Sequence, residues 1–413
     1  MARNGDSVRF DGDRLWSRLI AMGRIGATPN GGCNRQALTD GDLAGRTLFT
    51  EWSKAAGCTV RVDSIGNLFI RRPGKSDDLP AVLTGSHLDT QPTGGKFDGI
   101  YGVLAGLEVI ESLNSNGIKT THPVEVGVWC NEEGCRFPAA MMGSAVWSER
   151  MPLAVAYALA DREGVTVRDA LKRAQIPIDV PVARQPVKAA FEVHIEQGPV
   201  LENQARTIGI VTGVQHMSRH EVIIEGQEAH AGTTPMDRRR DPVRVLADIL
   251  PQLYRAAEER RPDGRLTIGI IETLPGSPNT VPGQLRFTVD VRHPQDAAFR
   301  ALREDVEQVV RGALNKHGSS ASVRCVWEAP AVRFNSDCIN AVRTAAAHLG
   351  YPASEIVSGA GHDSVNTSYV VPTGMIFIPC AGGLSHNEAE SASKSDLEAG
   401  ANVLLHAILS VAQ

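Results

Sequence analysis

His87, Asp98, Glu133, His194 and His386 are nitrogen or oxygen donors set in short polar or glycine-rich segments. Each lies beside a stretch whose patterning predicts a strand or a helix. Singly they say little. A histidine near a strand end is more often a hydrogen-bonded structural residue than a ligand. Asp98, followed by Gly99 and a helical pattern, has the position of an N-cap, and Glu132-Glu133 has the composition of a solvated turn. Together they make an imidazole and carboxylate set without cysteine, which suits Zn2+, Mn2+, Co2+ or Ni2+. There is also a chemical reason for this number. Two divalent ions about 3.5 Å apart need a bridging carboxylate, two further ligands each, and an open position for water. Adjacent glutamates can divide roles, one binding metal and the other acting as base, and spacing leaves open which does which. In His87-Leu88-Asp89, the aspartate is placed to accept the second ring N–H of His87 and fix its tautomer.

These residues need elements to position them. Helices are expected at 13–22 and at 40–56, the second capped by Thr39 or Asp40. Alternation around Gly66-Asn67 predicts a hairpin over 59–71. An apolar run at 81–83 leads into GSHLDT, a helix follows over about 99–113, and a strand at 124–130 runs into NEEG. A further strand at 190–198 ends in polar residues. Strands alternating with helices describe an open α/β sheet, in which ligands bind outside the carboxyl ends of the strands. His87, Glu132, Glu133 and His194 fall at such ends.

From about 214 to 328 the order becomes strand (219–225), helix (242–260), strand (265–273), strand (285–292), helix (295–315) and strand (321–328). This βαββαβ order predicts a ferredoxin-like unit inserted in the larger domain. The chain then resumes with a helix near 336–349, a strand at 374–379 and a last helix at 393–411. Gly94-Gly95 and Gly382-Gly383 are read as tight backbone turns beside the ligands, not phosphate loops.

A length of 413 residues also favours two domains. The net charge of −5 gives no support to nucleic-acid binding, and Arg238-Arg239-Arg240 reads as a solvated face. The cysteines number seven, are scattered and form no CxxC, which fits free thiols in a reducing compartment. The N-terminal residues MARNGDSVRFDGDRLW contain no apolar leader core, and no stretch reaches the length of a membrane span. The expectation is a cytoplasmic protein with no membrane or nucleic-acid partner.

The segments GSHLDTQPTGGKFDG (85–99), NEEGCRF (131–137), FEVHIEQGP (191–199), EAHAGTTP (228–235), GAGHDS (359–364) and GLSHNEAE (383–390) resemble the M20 metallopeptidase clan. Within it they resemble the hydantoinase/carbamoylase group: N-carbamoyl-L-amino acid hydrolases, β-ureidopropionases and allantoate amidohydrolases. The resemblance runs from about residue 15 to the C-terminus. It implies an α/β, mixed-sheet, dinuclear-metal aminopeptidase-like catalytic domain (1–213 and 330–413) carrying an inserted ferredoxin-like α+β lid/dimerisation domain (214–329). It further implies that His87, Asp98, Glu133, His194 and His386 bind two divalent ions, with Asp98 bridging, and that Glu132 is the general acid/base. A histidine at 194 favours the carbamoylase group over aminoacylases and dipeptidases. His230 resembles a lid-domain histidine that crosses a homodimer interface to polarise the scissile carbonyl. Asn279 and Arg292 resemble the pair holding the substrate carboxylate, and Gln197 and His362 the remaining substrate contacts. Arg292 also has a purely structural reading, an ion pair with Asp290 on the same strand face. The implied reaction is hydrolysis of the carbamoyl C–N bond of an N-carbamoyl amino acid. Allantoate hydrolysis and true amide cleavage by an aminoacylase or dipeptidase are the alternatives. A silent binding protein would have no need of an intact ligand set with Glu132.

Overall fold

The strands Ala81–His87 and Val124–Trp129 are buried along their whole length, as parallel strands covered on both faces must be. In this computed structural model, which describes residue 8 and residues 10–413 apart from 181, 183 and 318, they pair parallel with each other. Half of the amino-terminal stretch read for a leader lies outside the described residues. Ala81–His87 also pairs parallel with Val187–Ile195, which in turn pairs parallel with Thr373–Ile378. Antiparallel strands flank these four. On one side is the hairpin Thr59–Val62 and Leu68–Arg72, closed where Gly66 takes a φ of 89°. On the other is Ile208–Val214, which also pairs with Ala353–Ser358. The sheet is therefore mixed, as the family resemblance implied.

One face of this sheet is covered by the helices Gly12–Gly23, Ile100–Ser115, Ser336–Leu349 and Lys394–Ala412. Ile100–Ser115 and Lys394–Ala412 are apolar on nearly every side and buried accordingly. Asp40–Ala55 begins where Thr39 accepts from the Asp42 amide, the cap read in the sequence. The segment after Asn131, left without elements by the sequence reading, forms the short helices Met142–Trp147, Leu153–Ala158 and Val167–Arg173 around a small separate core.

Contacts divide the chain into two compact units, Met1–Thr212 with Arg333–Gln413, and Gly213–Val332. The second unit has its own core, in which Val222, Phe287 and Val289 of the sheet meet Val245, Ile249 and Phe299 of the helices. Its strands lie in the order Ser320–Ala329, His216–Glu225, Gln284–His293, then Ile271–Leu274 and Arg265–Thr267, every pair antiparallel. The helices Pro242–Glu258 and Asp296–His317 connect them. The single strand expected at 265–273 is in fact two. Thr267 pairs with Asp290 and Ile271 with Phe287, so four steps on one strand oppose three on the other. An extra residue near Gly269 bulges the strand and breaks it.

Gly85 and Gly127 face each other across the central parallel pair. Gly85 has a φ of 143°, and a Cβ there would lie 1.9 Å from the Gly127 carbonyl oxygen. Gly85→Ala should therefore cost about 3 kcal/mol from strain and overpacking together, read as a lowered Tm. An unchanged Tm would show that the two strands can move apart freely.

Candidate metal centre

Every ligand predicted from the sequence in the first unit comes to one place, the carboxyl ends of the parallel strands. His87 is the last residue of its strand, and His194 lies one residue from the end of its own. Asn131, with a φ of 56°, turns the chain sharply after Val124–Trp129 and presents Glu132 and Glu133. Asp98 and Gly99 open the buried helix Ile100–Ser115. His386, with a φ of 53°, arrives on the loop after Thr373–Ile378.

The Asp98 carboxylate is shared between two groups. Its Oδ1 lies 3.1 Å from His194 Nε2 and 3.6 Å from His87 Nε2. Its Oδ2 lies 3.4 Å from His386 Nε2, which is itself 3.4 Å from Glu133 Oε2. His87, Asp98 and His194 can thus surround one cation, and Asp98, Glu133 and His386 another. Glu132 Oε2 stands 3.6 Å from His87 Nε2, beside the cluster. The first group is buried, whereas the side chain of His386 is 51% exposed.

Both buried histidines turn their Nδ1 atoms to backbone carbonyls, His87 to Asp89 at 2.8 Å and His194 to Ile195 at 2.9 Å. A carbonyl only accepts, so Nδ1 carries the proton and Nε2 keeps its lone pair for a ligand. The role expected of Asp89 needs correcting here. Its carbonyl, not its carboxylate, fixes His87, while the carboxylate accepts from the Glu132 and Glu133 amides, each at 3.2 Å. A carboxylate whose two oxygens accept amides at the end of the neighbouring strand is turned away from the ring beside it.

The electrostatics fit a cation. Burial pushes the Glu133 carboxyl up to about 7, with Asp98 adding to the effect, and burial likewise raises Glu132 well above its ordinary range. Burial opposes ionisation of Asp98 too, but the imidazoles of His194, His386 and His87 gathered around its oxygens hold it well below the usual range. For His194, burial favours the neutral ring and Asp98 the imidazolium, with a net shift upward. The Gly99 amide points at His194 Nε2 from 3.1 Å. A donor cannot face a protonated nitrogen, so we assign the neutral ring. Desolvated, mutually repelling carboxylates beside imidazole lone pairs are the donor set a divalent cation satisfies.

Gln197 Nε2 donates to Asp98 Oδ2 at 2.9 Å and to Ser385 Oγ at 3.2 Å, so in this structure its amide supports the ligand expected to bridge. His362 is buried against His194, ring centroids 4.6 Å apart, with Nε2 3.2 Å from Ser358 Oγ. Burial, and then His194, hold its pKa well below the ordinary value, so it is a neutral ring. Glu192, His194 and His362 also lie within reach of one ion. However, both Glu192 oxygens already accept bonds, from Ser86 Oγ at 2.7 Å and Ser364 Oγ at 2.6 Å, which makes Glu192 a buttress. In the second unit, the register Thr280↔His230 places exposed Asn279 beside exposed His230. Arg292 is held by Asp290 at 2.7 Å, the structural reading its sequence position allowed.

Sequence reading missed three residues. Arg35, fully buried, bonds the Leu88 carbonyl at 3.2 Å and exchanges two further bonds with Thr90, clamping the turn after His87. Glu192 was visible only as the residue two before His194, hence on its strand face. Glu390 lay unremarked inside GLSHNEAE. The paired glycines are needed for different reasons. Gly382 and Gly383 have φ of 62° and 65°, as a turn requires, while Gly95 admits Glu390, whose Oε1 would be 2.0 Å from a Cβ there.

Gly99 packs directly against a ligand ring, for a Cβ on it would lie 2.3 Å from His87 Nε2. Gly99→Ala should displace that ring and lower divalent-metal affinity by roughly 10–100-fold, measured as metal retained after dialysis. Full retention would remove His87 from the ligand set.

Residues 83–410 match the model of peptidase family M20/M25/M40. The chain is 44% identical to a Rhizobium meliloti protein described as N-carbamoyl-L-amino-acid amidohydrolase, over 100% of this chain and 99% of that one. It is 32% identical to the allantoate amidohydrolase of Bacillus subtilis, over 93% of each. A crystal structure of a hydantoinase/carbamoylase family amidase from Burkholderia multivorans superposes with a TM-score of 0.92 at 48% identity, covering 98% of this chain and 99% of that one. A chain that matches over these lengths, with its potential ligands gathered around one aspartate, belongs to peptidase family M20/M25/M40.

Proposed function

We propose that this protein hydrolyses the carbamoyl C–N bond of an N-carbamoyl amino acid, N-carbamoyl-L-amino acid or N-carbamoyl-β-alanine, giving the free amino acid, CO2 and ammonia. The observation that carries the reading is the Asp98 carboxylate shared between two ligand groups, in a chain similar end to end to an N-carbamoyl-L-amino-acid amidohydrolase. His87, Asp98 and His194 would hold one Zn2+, Mn2+, Co2+ or Ni2+ ion, and Asp98, Glu133 and His386 the other. Such ions supply Lewis acidity and lower the pKa of a water.

The protein's own groups do the rest. Glu132 is buried next to the cluster and its amide donates to Asp89, which supports a role for its carboxylate as the base towards an attacking water. It takes that proton as the water oxygen bonds to the carbamoyl carbon, then gives a proton to the departing amino nitrogen. The carbamate left behind decomposes to CO2 and ammonia. His230 donates to the developing oxyanion, a contact that strengthens only as charge appears. Asn279 and Arg292 hold the substrate carboxylate, for which a guanidinium fork is suited. Gln197 and His362 contact the ureido group and substrate backbone. His230 acts on a substrate held by the other subunit of a homodimer, and the second unit serves as lid and dimerisation domain. All seven cysteines are unpaired, which supports a cytoplasmic location. Allantoate is a second reading, favoured by the Bacillus subtilis relative.

Ammonia release from N-carbamoyl-β-alanine, N-carbamoyl-L-amino acids and allantoate, with Mn2+- or Zn2+-loaded and chelated protein, tests the reaction. Chelator-sensitive turnover of one of them is expected. Cleavage of an N-acyl amino acid or dipeptide instead would overturn the carbamoyl assignment. Glu132→Gln should lower kcat by roughly 10^2–10^4 with metal content unchanged, and lost metal would make Glu132 a ligand. Mixing inactive His230→Ala and Glu132→Gln proteins should restore part of the activity through hybrid dimers. No recovery would place His230 and Glu132 of one site in one chain.

A further inference from the structure

Glu390 lies four residues after His386, is 6% exposed, and takes no part in the chemistry above. Its Oε1 accepts from the amides of Phe97, at 3.0 Å, and of Asp98, at 3.1 Å. Its Oε2 accepts from Ser385 Oγ at 2.8 Å. Ser385 lies 3.2 Å from Asp98 Oδ2 and precedes His386, which holds a left-handed backbone angle. One side chain therefore ties the backbone of the shared aspartate to the loop that delivers the most exposed ligand, across 292 positions of sequence.

The surroundings are shaped for this. Gly95 is buried, and a Cβ on it would sit 2.0 Å from Glu390 Oε1 and 2.1 Å from Cδ. Its φ is not in the left-handed region, so close approach of the carboxylate, not backbone strain, explains the glycine. A buried carboxylate is costly, and three donors aimed at its two oxygens offset that cost.

We infer that Glu390 is a positioning residue, which sets Asp98 and the His386 loop in register so that the Asp98–Glu133–His386 group can close on a cation. The inference rests on the two-cation reading proposed above. The buried His87–Asp98–His194 group depends on it less, since both histidines are anchored by their own strands. Loss of Glu390 should therefore weaken one side of the centre more than the other.

The test is Co2+ binding to metal-free protein, followed by calorimetry and by the visible absorption of the bound ion, alongside the Tm of the metal-free form. Wild type should take up two equivalents. Failure there would sink the two-cation reading itself, independently of Glu390. Glu390→Ala should bind one equivalent normally and the second roughly 10–100-fold more weakly, with a metal-free Tm close to that of wild type. Glu390→Gln keeps an oxygen for the two amides and turns its NH2 towards Ser385 Oγ, so it should restore the second equivalent to within about threefold. Gly95→Ala, which pushes Glu390 aside without changing any charge, should reproduce the selective loss even if Glu390→Ala does not fold. Wild-type binding of both equivalents by Glu390→Ala and Gly95→Ala would overturn the inference. So would equal weakening of both equivalents, or a Gln variant as impaired as the Ala variant.

Discussion

A single carboxylate that must face two groups of partners at once sets the demands on the rest of the first unit. Asp98 offers Oδ1 to His87 and His194 and Oδ2 to His386, so its carboxylate is common to both groups, and the group on the loop, which no strand anchors, depends most on where it lies. Its backbone is restrained accordingly. The Asp98 amide donates to Glu390, the Gly99 amide to His194, and the Ile100 amide to the Asp98 carbonyl at 2.8 Å. Directly behind comes a helix buried on nearly every side, which cannot shift without disturbing the main core. The parallel strands serve the same end by delivering two histidines from neighbouring rows of one rigid sheet.

Holding such a centre together is unfavourable locally. Asn131, Gln197 and His386 adopt left-handed backbone angles, which cost of order 1–3 kcal/mol each outside glycine. Several carboxylates are desolvated within reach of one another. These penalties are sustained because the adjoining structure is over-determined: the strands are buried on both faces, and Arg35, Glu192 and Glu390 each fix a segment through several bonds. Bound cations would relieve the repulsion, so in this protein folding stability and metal occupancy are linked in the same residues.

Much of this was legible in the sequence because the signals were local. The apolar runs before GSHLDT and NEEG could only be buried strands, and polar donors at their ends mark the place where an open α/β sheet binds ligands. What escaped was either short or distant. The helices between Met142 and Arg173 have six or seven residues each, too few for a periodicity to declare itself. The bulge near Gly269 depends on the partner strand's register, which no single segment encodes. Asp89 was recognised at the right place with the wrong atom, since spacing cannot distinguish a residue's carbonyl from its carboxylate. Glu390 and Arg35 act over gaps of 292 and 53 positions, and only the fold brings their partners to them.

The acidity of the cluster also constrains substrate binding. Under the proposed reaction the substrate carries its own carboxylate, and the cluster of Asp98, Glu132 and Glu133 repels it until cations are present. The group that holds that carboxylate must then be a cation outside this set. Arg292 meets the chemical requirement, but its Nε already bonds Asp290 at 2.7 Å and its Nη2 approaches the same carboxylate at 3.4 Å. Asp290 orients the guanidinium and at the same time lowers its net attraction for an anion. A substrate carboxylate would share the fork rather than own it, so its affinity would come from geometry more than from charge. That favours discrimination by the shape of the acid, the property an enzyme choosing among N-carbamoyl amino acids and allantoate would need.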